Sequence, residues 1–258
     1  MKSVGNAIRA LALFTERQPE ISVSLVSEHL KIPKSSASRM LAAMRDGGLI
    51  EQESRGGLYR PGALAHRLGT IYGAKTSSRE IVRAALTQLA QATRHSCWMS
   101  TLSGSDIVVL EGIHGGYPIR LVVEAGSRLP AHATAAGKAL LSRLDNAQIK
   151  ALYPKGRLAQ LTRVTVRNLK QLMAEITEIR KRRWAETTEE MIDGIKSIGI
   201  SVWSHGESSP IALSISFPAN NVSSDGERAV LLSLLRIARD VGTKLGDAAW
   251  QADAQRDA

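Results

Sequence analysis

The sequence predicts two domains: an N-terminal winged helix-turn-helix, mostly α with a small β wing, and a larger C-terminal α/β domain. Three observations carry this. The chain has 258 residues, more than one small domain needs. Its first 61 residues hold three short helical patterns followed by a glycine-punctuated hairpin. From about residue 78 onward, strand-like runs alternate with helical ones. The chain is therefore divided into a head at 1–61, a linker helix at 62–77 and a second domain at 78–258.

Residues 6–17 place Ile8, Leu11, Ala12 and Phe14 on one stripe, with Arg9, Glu16 and Arg17 away from it, which predicts an amphipathic first helix. A second short helix starts at Ser24 as N-cap and runs through Leu25, Val26, Glu28 and Leu30, until Ile32 and Pro33 stop it. From Pro33 to Asp46, Ala37, Met40, Leu41 and Met44 fall at i, i+3, i+4 and i+7 and form a buried stripe. The opposite face presents Ser35, Arg39 and Ala42, flanked by Ser36, Ser38 and Ala43, with Lys34 in the first turn. Small hydroxyls and alanines around one arginine let a helix approach a surface closely. In the major groove, Arg reads guanine while Ser and Lys reach phosphates. An ordinary solvated helix face has the same composition; the sequel separates the two. Gly47 and Gly48 end the helix, Leu49–Gln52 reads as a strand, and Gly56 and Gly57 turn the chain into Leu58–Arg60. This hairpin carries Arg55 at its tip and Arg60 on its return strand, where a wing meets backbone phosphates.

Charge agrees with that reading. The formal net charge is +10, and residues 1–75 carry 11 Lys/Arg against 6 Asp/Glu, net +5, while the remaining 183 residues carry 23 against 18. The basic density lies in the N-terminal third. A polyanion is its natural partner, because neutralising phosphates releases counterions, and double-stranded DNA is the expected one.

Several classes are set aside. Cys97 is the only cysteine, so no disulfide within the chain and no thiolate metal cluster is expected, and a reducing cytoplasm fits. Arg9, Thr15, Glu16 and Arg17 interrupt the first twenty residues, and no run of about 18 apolar residues occurs, so neither export nor a membrane partner is expected. Around Cys97, His95, His114, His132 and His205 there is no nucleophile elbow, metal-ligand spacing or phosphate loop, so catalysis, metals and cofactors are not expected. Cys97 sits in an apolar strand, which predicts an inert buried thiol.

In the second domain, residues 62–75 read as the linker helix through Ala63, Leu64, Leu68 and Ile71, and helix resumes over 78–93. Strands are predicted at 97–102, 106–113 and 118–124, then helices at 134–144 and 168–182. An antiparallel pair at 195–203 and 210–217 follows, connected across Gly206, and a final helix at 224–249.

These residues together resemble the IclR family of bacterial transcription regulators. The resemblance rests on Ile8-Arg9-Ala10-Leu11, on Leu30 to Ser36 with Arg39-Met40-Leu41, and on Gly48-Leu49-Ile50 leading to Tyr59-Arg60-Pro61-Gly62. In the second domain it rests on Gly126 to Leu141, above all His132 to Leu141, and on Glu190 and Gly194 as a Glu-x-x-x-Gly element. It spans almost the whole chain. It implies a winged head, a linker helix that helps dimerise it, and a GAF-like α/β domain that binds an organic acid or aromatic metabolite, in dimers or dimers of dimers on a palindromic operator. Ser201 departs from the pattern, since the family has proline there, so the resemblance does not fix the ligand.

The residues themselves offer a candidate effector site. In 197–202, Ile198, Ile200 and Val202 point one way while Ser197, Gly199 and Ser201 point the other; in 212–217, Leu213, Ile215 and Phe217 oppose Ala212, Ser214 and Ser216. Such faces either line a cavity, where hydroxyls bind a polar ligand, or face water. The Leu129–Lys138 segment, with Ala131, His132, Ala133, Thr134, Ala135 and Gly137, brings accessible backbone or close helix packing, and Thr134 is placed to cap a helix. Trp98 adds an apolar wall or is simply core. Glu190 and Asp193 either bind a ligand or metal or, as the favoured reading, are carboxylates that shape a turn.

Overall fold

A computed structural model describes residues 2–15, 18–52, 57–74, 77–118, 121, 123–203 and 209–254. The chain separates into two compact units, Met1–Ser77 and Ser78–Ala258.

The first unit is a three-helix head with a two-stranded sheet and a following helix. Helix α1 spans Lys2–Leu11, α2 Val23–Leu30 and α3 Lys34–Asp46; strands β1 (Ile50–Gln52) and β2 (Tyr59–Pro61) pair antiparallel, and α4 covers Ala63–Ala74. Its core is Ala10, Ile21, Val26, Leu30, Ala37, Leu41, Met44, Ile50 and Tyr59. The buried stripe of α3 thus includes three of the four residues that its spacing predicts, and Met40 is half-buried beside them. Lys31 takes a left-handed φ of 54°, and the Ser27 hydroxyl donates to the Ile32 carbonyl at 2.7 Å, which closes the turn between α2 and α3.

Two local expectations shift. The first helix ends at Leu11, and the residues packed on the core are Ala7, Ala10, Leu11 and Phe14, whereas Ile8 is 62% exposed. The buried face of the helix centres on Ala10, which is fully buried in one cluster with Ile21 and Leu41. Helix α2 is capped by Ser22, whose side chain accepts from Leu25 N at 3.1 Å, rather than by Ser24.

The second unit is a six-stranded antiparallel sheet between helical layers. Its strands are β3 (Ser96–Ser103), β4 (Asp106–Ile113), β5 (Arg128–Pro130), β6 (Trp184–Thr188), β7 (Ile195–Val202) and β8 (Ile211–Pro218), in the order β5-β4-β3-β8-β7-β6. One face carries α5 (Ser77–Thr93), α9 (Ser224–Leu245) and α10 (Ala248–Ala254) over Cys97, Met99, Ile198, Ile200, Leu213 and Ile215. Each fully buried aliphatic side chain in this layer contributes about 1.5–3 kcal/mol relative to exposure. The other face carries α6 (Ala135–Leu141), α7 (Asn146–Leu152) and α8 (Leu169–Arg182), packed through Leu140, Ile149, Leu172 and Ile176.

The antiparallel pair β7–β8 lies where alternation predicts it, with Ser197 opposite Ser216 and Gly199 opposite Ser214. The described residues of the predicted strand at 118–124 take no strand. Pro118, Leu121, Val123 and Glu124 are in irregular chain, and the edge of the sheet is taken instead by β5, with Leu129 opposite Ile107.

Candidate functional site

The polar face of α3 is exposed on the head. On α3, Lys34, Ser35, Ser38 and Arg39 are exposed and Ser36 is half-buried. The exposed face follows from the opposite stripe being consumed by the core, so the side chains predicted to meet DNA point away from Ala37 and Leu41. Arg60 lies on β2 across from Glu51, and its Nε donates to Glu51 Oε1 at 2.8 Å. This partner was not foreseen. Arg55, expected at the wing tip, lies outside the described residues.

The second unit holds a cavity of about 80 Å³ between the sheet and the start of α6. Alternation along β3, β7 and β8 sends one set of side chains to the α5–α9 core and the other set, Trp98, Ser100, Ser197, Ser214 and Ser216, into this cavity. Thr134, Ala135 and Ala136 close it from α6, Thr187 adds a hydroxyl from β6, and Met191, Ile192 and Ile195 cover it from the turn before β7. The backbone of α6 sits directly on the sheet because position 199 is glycine: a Cβ there would lie 2.8 Å from Ala136 N and Ala135 C.

Trp98, Thr134, Ala135, Ser197, Ser214 and Ser216 of the predicted residues meet at this cavity, and the others do not. Ala131, His132 and Ala133 form a short 3₁₀ turn that packs against the α7–α8 layer; His132 Nε2 is 2.8 Å from the Ala159 carbonyl and its ring meets Tyr153 edge-on. Gly137 belongs to the close-packing alternative, since a Cβ there would fall 2.3 Å from Ala131 Cα. Its N–H is taken by the Thr134 hydroxyl at 3.1 Å, so this helix-start donor is engaged within the chain. Ser201 lies beyond the reach of the cavity. Its Oγ and carbonyl accept from Arg143 at 2.9 and 2.6 Å, and Arg143 also pairs with the buried Asp247 at 2.7 Å. Two positions further along β7 than Gly199, it faces this polar cluster at the end of α6.

Ser100 and Thr187 escaped the sequence reading. Ser100 stands two residues from Trp98 on the same strand and so on the same face, a signal that was present. A β-bulge between Met99 and Ser100 interrupts the pairing with β4, the device that commonly re-aims side chains beside sites. Trp98 Nε1 and Ser100 Oγ are both buried and without a hydrogen-bond partner. Ser197 Oγ and Ser216 Oγ are 2.6 Å apart, and Thr134 Oγ1 accepts from Gly137 N.

Behind α6 lies an ion cluster that the sequence did not reveal. Lys138 is 0% exposed, and its Nζ donates to Glu175 Oε2 and Glu190 Oε1, both at 2.6 Å. Burial raises the Glu190 carboxyl above its usual range, with Lys138 opposing that shift. Cys97 is fully buried, and burial pushes its thiol up, which leaves it unreactive at neutral pH. No group of three or more potential metal ligands occurs among the described residues, and no helix among them is long and apolar enough to cross a membrane.

A helix-turn-helix with a small β wing, joined to an α/β domain that encloses a lined cavity, defines a ligand-responsive DNA-binding regulator. The family model described as bacterial transcriptional regulator IclR C-terminal matches residues 73–243, and that of the IclR helix-turn-helix domain matches residues 3–54. The chain belongs to the IclR family of bacterial transcription regulators. It is 29% identical over 229 residues to the HTH-type transcriptional regulator XynR of Escherichia coli, covering 89% of this chain and 90% of that one. It is also 29% identical over 225 residues to the HTH-type transcriptional regulator TtgV of Pseudomonas putida, covering 86% and 85%. Among solved structures, the IclR protein of Thermotoga maritima superposes with a TM-score of 0.73 at 23% identity, covering 95% of this chain and 99% of that one. An IclR homologue from Microbacterium hydrocarbonoxydans, complexed with 4-hydroxybenzoate, gives a TM-score of 0.73 at 18% identity, covering 93% and 98%. The protein is thus a DNA-binding transcription regulator with a C-terminal effector-binding domain, in a family of regulators rather than enzymes.

Proposed function

We propose that the protein acts in the cytoplasm as a homodimer, or a dimer of dimers, on a palindromic operator, and that a small organic metabolite in the Trp98 cavity sets its affinity. The observation that carries the effector reading is the pair of buried, unpartnered polar atoms, Trp98 Nε1 and Ser100 Oγ, on two residues that line the cavity. Buried donors without partners are rare in proteins, and a ligand acceptor there removes the cost. Lys34, Ser35, Ser36, Ser38 and Arg39 would enter the major groove, with Arg39 reading a base, while Arg60 and Arg55 would track phosphates.

Dimerisation is supported by the apolar side chains that the head leaves exposed. Val4 and Ile8 lie one turn apart on α1, and Leu68 and Ile71 lie on α4. Two copies of a recognition helix read a longer site than one can. The relative complexed with 4-hydroxybenzoate makes aromatic metabolites and organic acids the first effectors to try. Light scattering with fluorescence anisotropy on a palindromic operator, with and without a metabolite pool, tests the reading. A dimer whose affinity shifts with the pool is expected, together with thermal stabilisation by the pool. A monomer that binds one half-site tightly and ignores every metabolite would overturn it.

A further inference from the structure

The cavity wall specifies a hydrogen-bonding pattern that narrows the ligand. An indole N–H can only donate, so Trp98 Nε1 calls for an acceptor. The ring is held with this edge over β4: position 112, opposite Trp98, is glycine, and a Cβ there would come within 3.0 Å of Nε1. The Ser100 hydroxyl, on the same strand face, donates or accepts. Thr134 is spent, since it accepts from Gly137 N and donates to the Pro130 carbonyl at 3.3 Å. Ser197 and Ser216 satisfy each other with one proton left over.

The described part of this wall carries no charge. Among the described residues that line the cavity, none is charged, and Ile107, Val109, Leu129 and Ile195 make much of it apolar. Lys138, the cation on α6, is fully buried between two carboxylates and has no charge to spare for a third. With both glutamates ionised, that cluster is net negative, and its lysine lies on the helix whose first residues touch the cavity. A carboxylate placed here would lose its water and gain no counter-ion from the described residues, whereas a neutral acceptor keeps its hydrogen bonds at little cost.

We propose that the cavity selects a small uncharged ligand, largely apolar, whose hydrogen-bond acceptor meets Trp98 Nε1 and Ser100 Oγ. The proposal rests on the reading of this cavity as the effector site. It assigns two residues of β3, rather than the serines of β7 and β8 alone, as determinants of ligand class.

Matched pairs of amide and acid test it: propanamide and propanoate, isobutyramide and isobutyrate, benzamide and benzoate, with toluene as a ring lacking any acceptor. Each is titrated calorimetrically against the full chain at neutral pH. The amide of at least one pair is expected to bind about tenfold or more tightly than its acid. Trp98→Phe should weaken that amide about fivefold, the scale of one neutral hydrogen bond, and leave toluene as tight as before. Ser100→Ala, a smaller change, gives a second reading if Trp98→Phe melts early. An acid that outbinds its amide, or amide affinity unmoved in both variants, overturns the uncharged-ligand assignment. Ser214→Leu separates the two levels. If it abolishes binding of an acid that outbinds its amide, the site stands and the ligand class falls; if binding survives it, the site itself falls. Absence of binding by every probe counts against both.

Discussion

Lys138 and Glu190 form a buried ion pair, Nζ to Oε1 at 2.6 Å, that ties α6 to the turn between β6 and β7. That turn carries Met191 and Ile192 over the cavity and is closed on itself, with Gly194 N donating to Glu189 Oε1 at 2.9 Å. The Glu190 carbonyl accepts from Thr165 Oγ1 at 2.7 Å, which anchors the segment after α7 to the same turn. The lysine and Thr165 therefore hold the cover of the cavity together. Lys138→Met leaves the Glu190 carboxylate buried without a counter-ion, and an expected loss of about 3–5 kcal/mol follows. Urea unfolding of the variant measures it; a loss under about 1 kcal/mol would show that water or another group takes over the charge.

The same pair fixes the sign of a pH effect. The native Glu190 carboxyl titrates above its usual value, chiefly because it is buried. Between the ordinary carboxylate pKa of about 4.3 and that raised value, the native state holds the proton more tightly than the unfolded chain. The contribution of Glu190 to stability is therefore greatest below this window and falls as pH rises through it. Measured against Glu190→Gln, the parent should lose ground as pH rises through that window and then level off. A parent-minus-variant difference that grew with pH would contradict the assignment.

On the head, Arg39 and Arg60 should differ in kind. Arg39 stands exposed at the centre of the polar face of α3, so Arg39→Ala is expected to cost about 1–3 kcal/mol in operator binding and to relax discrimination at one base pair. Arg60 is already paired with Glu51, so a phosphate must compete for it. Arg60→Ala should weaken all sequences alike and flatten the salt dependence. Anisotropy titrations on operator and random DNA at several salt concentrations separate these outcomes. A loss at Arg60 confined to the operator would assign it a base contact instead.

The side chain of Ile8, 62% exposed on α1, has no role in the core of the head. If it closes a dimer, Ile8→Glu buries a charge at that contact and should shift the light-scattering mass toward the monomer at micromolar protein, with loss of the palindromic footprint. An unchanged mass together with an unchanged footprint would move the dimer contact elsewhere.

Much of this was legible because periodicity is local. Alternation alone separated Ile198, Ile200 and Val202 from Ser197, and Leu213 and Ile215 from Ser214 and Ser216, and the structure sends the first set to one core and the second to the cavity. The stripe of α3 was legible for the same reason. What failed depends on contacts that no window contains. Ser201 continues the alternation but passes out of the cavity, where Arg143 and Trp250 donate to it from distant segments. Strand β6, with only Ala185 and Thr187 of its five residues buried, carries too weak a pattern to stand out. A buried lysine contradicts the usual preference of its side chain and becomes intelligible only when Glu175 and Glu190 are seen converging on it.

Ser214 offers the sharpest separation of sensing from DNA binding. It is buried at the centre of the cavity wall, opposite Trp98 on β3 and Gly199 on β7. The residues flanking it in β8, Leu213 and Ile215, point into the α5–α9 core, so a change at 214 leaves that core untouched. Ser214→Leu keeps the strand intact and fills space that a ligand would occupy. An effector changes DNA affinity only through its preference for one state of the protein, and the coupling is reciprocal. A chain that cannot bind effector should therefore hold its ligand-free operator affinity near the parent value and lose the shift that effector produces. Calorimetry and anisotropy on the same preparation measure both quantities. Unchanged effector affinity in Ser214→Leu would remove Ser214 from the site, and unchanged affinity in Ser216→Leu as well would move the site away from this cavity.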